Sequence, residues 1–208
     1  ADFELLETMR WSPRGYPRLD AHLARLARSA RYFGFCRDRR ERCALDELAR
    51  TLPPVAHRVR LLLARDGAVK VEAEPLLASD SRKPRSVGLA STPVDSADPL
   101  LFHKTTHRAL YDAARAARPD CDDVLLWNAR GELTESTRAN LVVCLDGELV
   151  TPPLGCGLLP GIFRERLLAR RRVIERVIRR EDLARTTGLW LVSSLRGWIP
   201  CELCRDSR

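Results

Sequence analysis

The stretch "STPVDSADP", residues 91–99, lies close to the middle of a chain of 208 residues. Its prolines lack an N–H, and its serines and aspartates compete with the backbone for hydrogen bonds, so it continues neither a helix nor a central strand. The chain therefore reads as two domains, 1–92 and 100–208, joined by a linker at 93–99. Each half carries its own tight hairpin. Asp66-Gly67 forms the turn of "HRVRLLLARDGAVKVEAEP", and Asp146-Gly147 that of "ANLVVCLDGELVTPP".

The remaining pattern mixes strands and helices in both halves, which predicts an α/β fold of mixed α+β character. In the first half "FELLETMR" reads as a strand and "LDAHLARLARSARYFGF" as a helix, with Asp20 as N-cap. Leu23, Leu26, Ala30 and Phe33 form its apolar face, and Gly34 ends it. "ALDELARTL" is a second, shorter helix. In the hairpin Val69, Val71 and Ala73 share one face, while Lys70, Glu72 and Glu74 share the solvated one. In the second half "KTTHRALYDAARAA" is helical by propensity, and "DDVLLWNARGELTES" and "ANLVVCLDGELVTPP" read as strands. "LPGIFRERLLARR" places Pro and Gly just before a helical run. "VIERVIR" is either strand or helix, "DLARTTG" a short helix, and "LWLVSSLRGWIPCEL" has strand character.

Charge narrows the function classes. The formal net charge is +8, and 33 of the 36 basic residues are arginine. Acids are interleaved with them, as in "RERLLARRRVIERVIRRED", and few aromatics sit among them. That is a solvated pattern rather than a nucleic-acid surface, though it suits an anionic ligand. No apolar run approaches the ~18 residues of a membrane span, so no membrane partner is expected. The start, "ADFELLETMR", has acids where a signal peptide needs a basic flank, which points to the cytoplasm. It lacks a starting Met and reads as a domain or fragment of a longer chain. Of the seven cysteines only Cys201 and Cys204 form a C-x-x-C, with no second pair to complete a metal site. Reduced thiols and no bound metal are expected.

The arginine bias makes the lysines informative. There are three: Lys70, Lys83 and Lys104. Lys70 lies on the solvated face of a strand and Lys83 in the polar loop "SDSRKPRS". Lys104 follows the apolar "PLLF". An amine that attacks a carbonyl must lose its proton; lysine can be tuned to do so and arginine cannot. "LTESTRANL" sets Glu135 in a polar loop between two apolar strands, where a carboxylate can face a cleft or simply a turn. "GLLPGIFR" puts glycine before a helix, a setting that turns backbone N–H groups toward an anion. Arg25, in "HLARL", offers a planar fork for a phosphate or an ordinary helix-face charge.

Taken together, "FELLETMRW", "HLARLARSARYFGF", "FHKTTHRALYDAARA", "LLWNARGELTESTRANLVV", "DGELVTPPLGCGLLPGIFR" and "SSLRGW" make the chain resemble the fold-type-IV pyridoxal-phosphate enzymes. This is the class IV aminotransferase family. Within it the chain is most similar to the aminodeoxychorismate lyase domains fused behind the chorismate-aminating part of para-aminobenzoate synthases. The resemblance implies a small N-terminal α/β domain and a larger, barrel-like C-terminal domain, with pyridoxal 5'-phosphate in the cleft between them. It implies that Lys104 forms the Schiff base and that Glu135 faces the pyridine nitrogen. Arg25, the backbone N–H groups of Ile162 and Phe163, and the Ser194 hydroxyl would hold the phosphate, and Leu159 would pack on the ring. Arg108 and Arg196 are candidates for a dicarboxylate substrate. Three departures stand out: Ser193 where relatives often carry Asn, Phe163 where some carry Thr, and no counterpart of the family's first strand and glycine turn.

The implied reaction splits 4-amino-4-deoxychorismate into para-aminobenzoate and pyruvate, a step of folate biosynthesis, through a cofactor aldimine and elimination. An aminotransferase for branched-chain or D-amino acids uses the same residues and is the alternative. A non-catalytic arginine-rich binding module is the third. The resemblance further implies a homodimer and a fused or partner synthase domain.

Overall fold

The computed structural model describes residues 3–77 and 83–204. These form two compact units. One comprises the chain up to residue 77 together with 103–107, and the other comprises 83–102 and 108–204.

The first unit is built on an antiparallel sheet in the order β1-β2-β3, with β1 at Leu5–Trp11, β2 at His57–Leu63 and β3 at Val69–Pro75. Helices α1 (Leu19–Phe33) and α2 (Glu41–Thr51) belong to it. Leu26 and Ala30 of α1 and Leu45 of α2 join Leu5, Met9, Trp11, Val59, Leu61 and Leu63 in its core, with Val69, Val71 and Ala73 packed alongside. Lys70 pairs with Glu72 at 2.7 Å on the exposed side of β3, as its alternation predicts. Gly34 closes α1 with a left-handed backbone and donates its N–H to Ala30 O. Asp20 is not the N-cap. Arg18 holds that position with φ 62, and Asp20 lies in the first turn, where its charge still complements the helix dipole.

The predicted helix over "KTTHRALYDAARAA" is corrected to α3, Ala109–Ala116. Residues 103–107 before it belong to the first unit and are bonded to β1. Leu5 pairs with Thr105, the Leu6 N–H donates to Lys104 O at 2.9 Å, and the Thr106 N–H donates to Glu4 O at 2.9 Å. Backbone groups committed to β1 are unavailable to a helix.

The second unit holds β4 (Arg85–Leu89), β5 (Asp123–Trp127), β6 (Leu133–Ser136), β7 (Asn140–Leu145), β8 (Glu148–Thr151), β9 (Ile174–Glu175), β10 (Gly188–Ser193) and β11 (Gly197–Leu203). Their order is β10-β11-β4-β5-β6-β7-β8-β9, and β10 also pairs with β7. Six strands, β10, β11, β4, β5, β6 and β7, thus close on themselves, while β8 and β9 extend outward from β7. Closure removes open edges and gives the barrel-like domain that the sequence implies. Its main core gathers Val87, Leu125, Leu133, Leu141, Val143, Leu189 and Leu191. "VIERVIR" contributes only the short β9, and of "DLARTTG" the first four residues lie in a 3-10 turn over Arg180–Arg185 while Gly188 opens β10.

The unit boundary does not follow the linker. Residues 93–99 run inside the second unit, where Val94 is 3% exposed and donates its N–H to Trp127 O at 2.8 Å. Strand β4 precedes them in sequence, yet it pairs in parallel with β5 and β11. The expectation of reduced thiols is also corrected. Cys121 and Cys204 form a disulfide, while Cys201, the other half of the C-x-x-C, is free. The barrel register brings this pair together: the Cys204 N–H donates to Val87 O beyond the end of β11, and Cys121 lies just before β5.

Candidate active site

In the first unit, β1 places Glu7 on the same strand face as Leu5, Met9 and Trp11. It is the acid among three apolar residues, and α1 answers it. His22 and Arg25, one turn apart, both reach it. Arg25 donates from Nε to Glu7 Oε1 at 2.9 Å and from Nη2 to Oε2 at 2.7 Å, and His22 Nδ1 lies 2.7 Å from Oε2. All three residues are buried. Burial alone would push the Glu7 carboxyl up. The charge of Arg25 and the hydrogen bonds from His22 and Arg25 outweigh it and bring the group down to about 2. Arg25 is therefore a buried, oriented fork and not a helix-face charge.

Lys104 is half-buried, on the segment clamped to β1. The residue before it is anchored to α1. His103 Nδ1 lies 2.9 Å from Ser29 Oγ, and its ring packs against Tyr32 and Phe33. Burial and the neighbouring Arg28 hold His103 below the usual histidine range.

In the second unit Glu135 lies on β6, 5% exposed. Tyr111 of α3 donates its hydroxyl to Oε1 at 3.1 Å, and Asn140 Nδ2 donates to Oε2 at 3.2 Å. Burial and the charge of Glu135 push the Tyr111 phenol far above its ordinary value, which keeps it a donor. The turn after Glu135 is set by Asp123, 1% exposed, which accepts from Ser136 Oγ at 3.1 Å and Thr137 Oγ1 at 2.6 Å. Arg108 donates to Thr137 O at 2.5 Å and lies over the Tyr111 ring at 4.7 Å. It thus braces the Glu135 turn.

Helix α4 (Ile162–Ala169) begins at Gly161, which has no side chain to cap it. Ile162 is buried, and Phe163 packs with Val142, Leu167, Val192 and Trp198. The turn between β10 and β11 carries Ser194 and Arg196, with the Arg196 N–H donating to Ser193 Oγ at 3.2 Å. An ideal Cβ on Gly197, at the end of that turn, would stand 3.9 Å from the Phe163 ring, so the turn and the first turn of α4 are neighbours. Leu159 lies just before α4 and is half-buried; its carbonyl accepts from Asn140 Nδ2 at 2.9 Å.

The structure therefore gathers Glu135, Leu159, Ile162, Phe163, Ser194, Arg108 and Arg196 in the second unit and Arg25 and Lys104 in the first. Sequence reasoning missed Glu7, His22, Tyr111, Asn140 and Asp123. One signal was available: His22 and Arg25 are three residues apart on a helix, the spacing of side chains that share a face. The others depend on contacts between separate elements.

The first unit offers a primary amine, Lys104, on a segment bonded to β1, a group that suits an aldehyde. The second offers a buried carboxylate, Glu135, that accepts from Tyr111 and Asn140, and a helix start with a glycine N-cap, groups that suit a ring nitrogen and a phosphate. The chain is 31% identical over 156 residues to a protein of Schizosaccharomyces pombe provisionally named an aminodeoxychorismate lyase, covering 72% of this chain and 67% of that one. A solved structure from Mesorhizobium loti, provisionally an amino-acid aminotransferase, superposes with a TM-score of 0.92 at 42% identity, covering 98% of this chain and all of that one. The pyridoxal-phosphate-bound form of a hypothetical aminotransferase from Mycobacterium tuberculosis superposes at 0.84 with 26% identity, covering 96% and 81%. The family model described as amino-transferase class IV matches residues 4–204, and the chain belongs to that family.

Proposed function

We propose that the chain is a pyridoxal-phosphate-dependent lyase that converts 4-amino-4-deoxychorismate into para-aminobenzoate and pyruvate. The observation that carries the cofactor is the buried Glu135 carboxylate, with a neutral donor on each oxygen. The lyase assignment draws on the S. pombe relative's name.

Lys104 Nζ binds the cofactor aldehyde. Glu135 accepts the hydrogen bond of a protonated pyridine nitrogen. Arg25, the N–H groups of Ile162 and Phe163, and the Ser194 hydroxyl hold the phosphate, and Leu159 packs on the ring. When bound, pyridoxal phosphate supplies a sink for the electron pair left by proton removal from the amine-bearing carbon. Lys104 Nζ takes that proton as general base. The C–O bond to the enolpyruvyl group would break as the ring aromatises, and the departing enolpyruvate would take up the proton held on Lys104 Nζ to leave as pyruvate. Arg108 and Arg196 are offered for the substrate carboxylates, Arg108 while still bonded to Thr137. A homodimer, a fused or partner synthase domain and a cytoplasmic setting belong to the same proposal. No described helix is long and apolar enough to cross a membrane.

A second reading, an amino-acid aminotransferase, is favoured by the M. loti structure, which is similar over its full length. One assay separates the two. A lyase returns the amine in its product and releases pyruvate over many turnovers without a 2-oxo acid acceptor. An aminotransferase stops until an acceptor arrives. Amino-group exchange with 2-oxoglutarate, and no pyruvate from aminodeoxychorismate, would replace the lyase with the aminotransferase.

A further inference from the structure

The Asn140 amide touches two parts of the second unit at once. It opens β7, opposite Glu135 in the β6–β7 register, and is 4% exposed. Its Nδ2 donates to Glu135 Oε2 at 3.2 Å and to Leu159 O at 2.9 Å. Both neighbours are acceptors, so the NH2 must face them, one hydrogen to each. Its Oδ1 then lies against Gly161, so closely that an ideal Cβ there would fall 1.8 Å from it. Any side chain at 161 would displace the amide, which gives that glycine a steric reason beyond its helix-starting role.

We propose that Asn140 is a positioning residue that fixes the carboxylate of Glu135 relative to the 159–161 approach to α4. The inference rests on the pyridoxal-phosphate reading above. In that reading the carboxylate would meet the ring nitrogen and the helix start would meet the phosphate, two groups of one small ligand joined by a short link. A short ligand engages both partners without strain or reordering only when their separation is already within its reach. One side chain, bonded to the carboxylate and to the carbonyl two residues before Gly161, sets it. Tyr111 is the natural control, because its hydroxyl donates to the other oxygen of Glu135.

The test titrates the apo-chain with pyridoxal phosphate and with pyridoxal, which lacks the phosphate, by absorbance and calorimetry. The ratio of the dissociation constant of pyridoxal to that of pyridoxal phosphate reports what the phosphate contributes. Asn140→Ala is expected to lower that ratio about tenfold, because Leu159 O loses its donor and the helix start shifts. Tyr111→Phe is expected to leave the ratio unchanged, since the Glu135 end is common to both ligands. An unchanged ratio in Asn140→Ala, or an equal fall in Tyr111→Phe, overturns the proposal while leaving the cofactor assignment standing. Failure of the unsubstituted chain to bind pyridoxal phosphate overturns both. Should Asn140→Ala not fold, Gly161→Ala, whose Cβ falls on Asn140 Oδ1, must lower the same ratio or the proposal fails.

Discussion

The two units hold their key ionic side chains in opposite ways. In the first, Arg25 is locked by a charge: the Glu7 carboxylate takes two of its nitrogens, with His22 on the same oxygen as Nη2. In the second, Tyr111 and Asn140 each donate to Glu135, and neither brings a charge. A buried ion pair orients its arginine at a desolvation cost that only good geometry offsets. Neutral donors orient a carboxylate without themselves neutralising its charge. The difference matches the proposed tasks. A phosphate needs a fixed fork, whereas a pyridine nitrogen needs an anion.

Substitutions can break this comparison. The largest effect is expected at Lys104. Lys104→Ala should lose turnover by about ten-thousandfold or more, roughly 5 kcal/mol. Borohydride should attach pyridoxal phosphate to the parent at this residue alone; peptide mapping that finds the label on Lys70 or Lys83 would remove Lys104 from its role. Glu135→Gln should keep cofactor binding and lose about a hundredfold in turnover, roughly 3 kcal/mol, because an amide does not keep the ring nitrogen protonated. Near-normal turnover would show that the second unit's carboxylate needs no charge, and the comparison would collapse.

The third prediction concerns pH. Glu7 sits at about 2 in the folded chain against an ordinary 4.5. Its folded value is depressed, so it contributes stability that is fully present above about 4.5 and is lost as the pH falls toward 2. That contribution is about 3 kcal/mol. Acid titration followed by circular dichroism should show the parent losing stability through this window. Glu7→Gln should be weaker at neutral pH and flatter across it; parallel acid limbs for the two proteins would mean that Glu7 is not held by Arg25. The smallest effect is expected from Arg25→Ala. It should weaken pyridoxal phosphate about tenfold, near 1.4 kcal/mol, with less change in turnover at saturation, because the phosphate is remote from the reacting bonds. Equal cofactor affinity in mutant and parent would confine Arg25 to holding β1 and α1 together.

What could be read from the chain was short in range. Asp66-Gly67 and Asp146-Gly147 mark their turns because the backbone between paired strands demands residues that tolerate positive φ, and Gly67 and Gly147 adopt φ 94 and 81. The α1 face follows from helical spacing, with Leu26 and Ala30 in the core. The motif set around Lys104, Glu135 and Gly161 was enough to indicate the family, because each motif is written in a short run of neighbouring residues. Tertiary structure decided what depends on distant partners. Lys104 leaves the helical pattern because Leu5 pairs with Thr105, 100 residues away in sequence. Strand β4 joins the barrel across the expected linker because β5 and β11 accept it. Arg25 meets Glu7, and Asn140 meets both Glu135 and Leu159, only once strand and helix are packed. Propensity and turn chemistry act over a few residues and are written locally. Hydrogen bonds and ion pairs between elements exist only after the chain has closed its long loops, so no window of the sequence contains them.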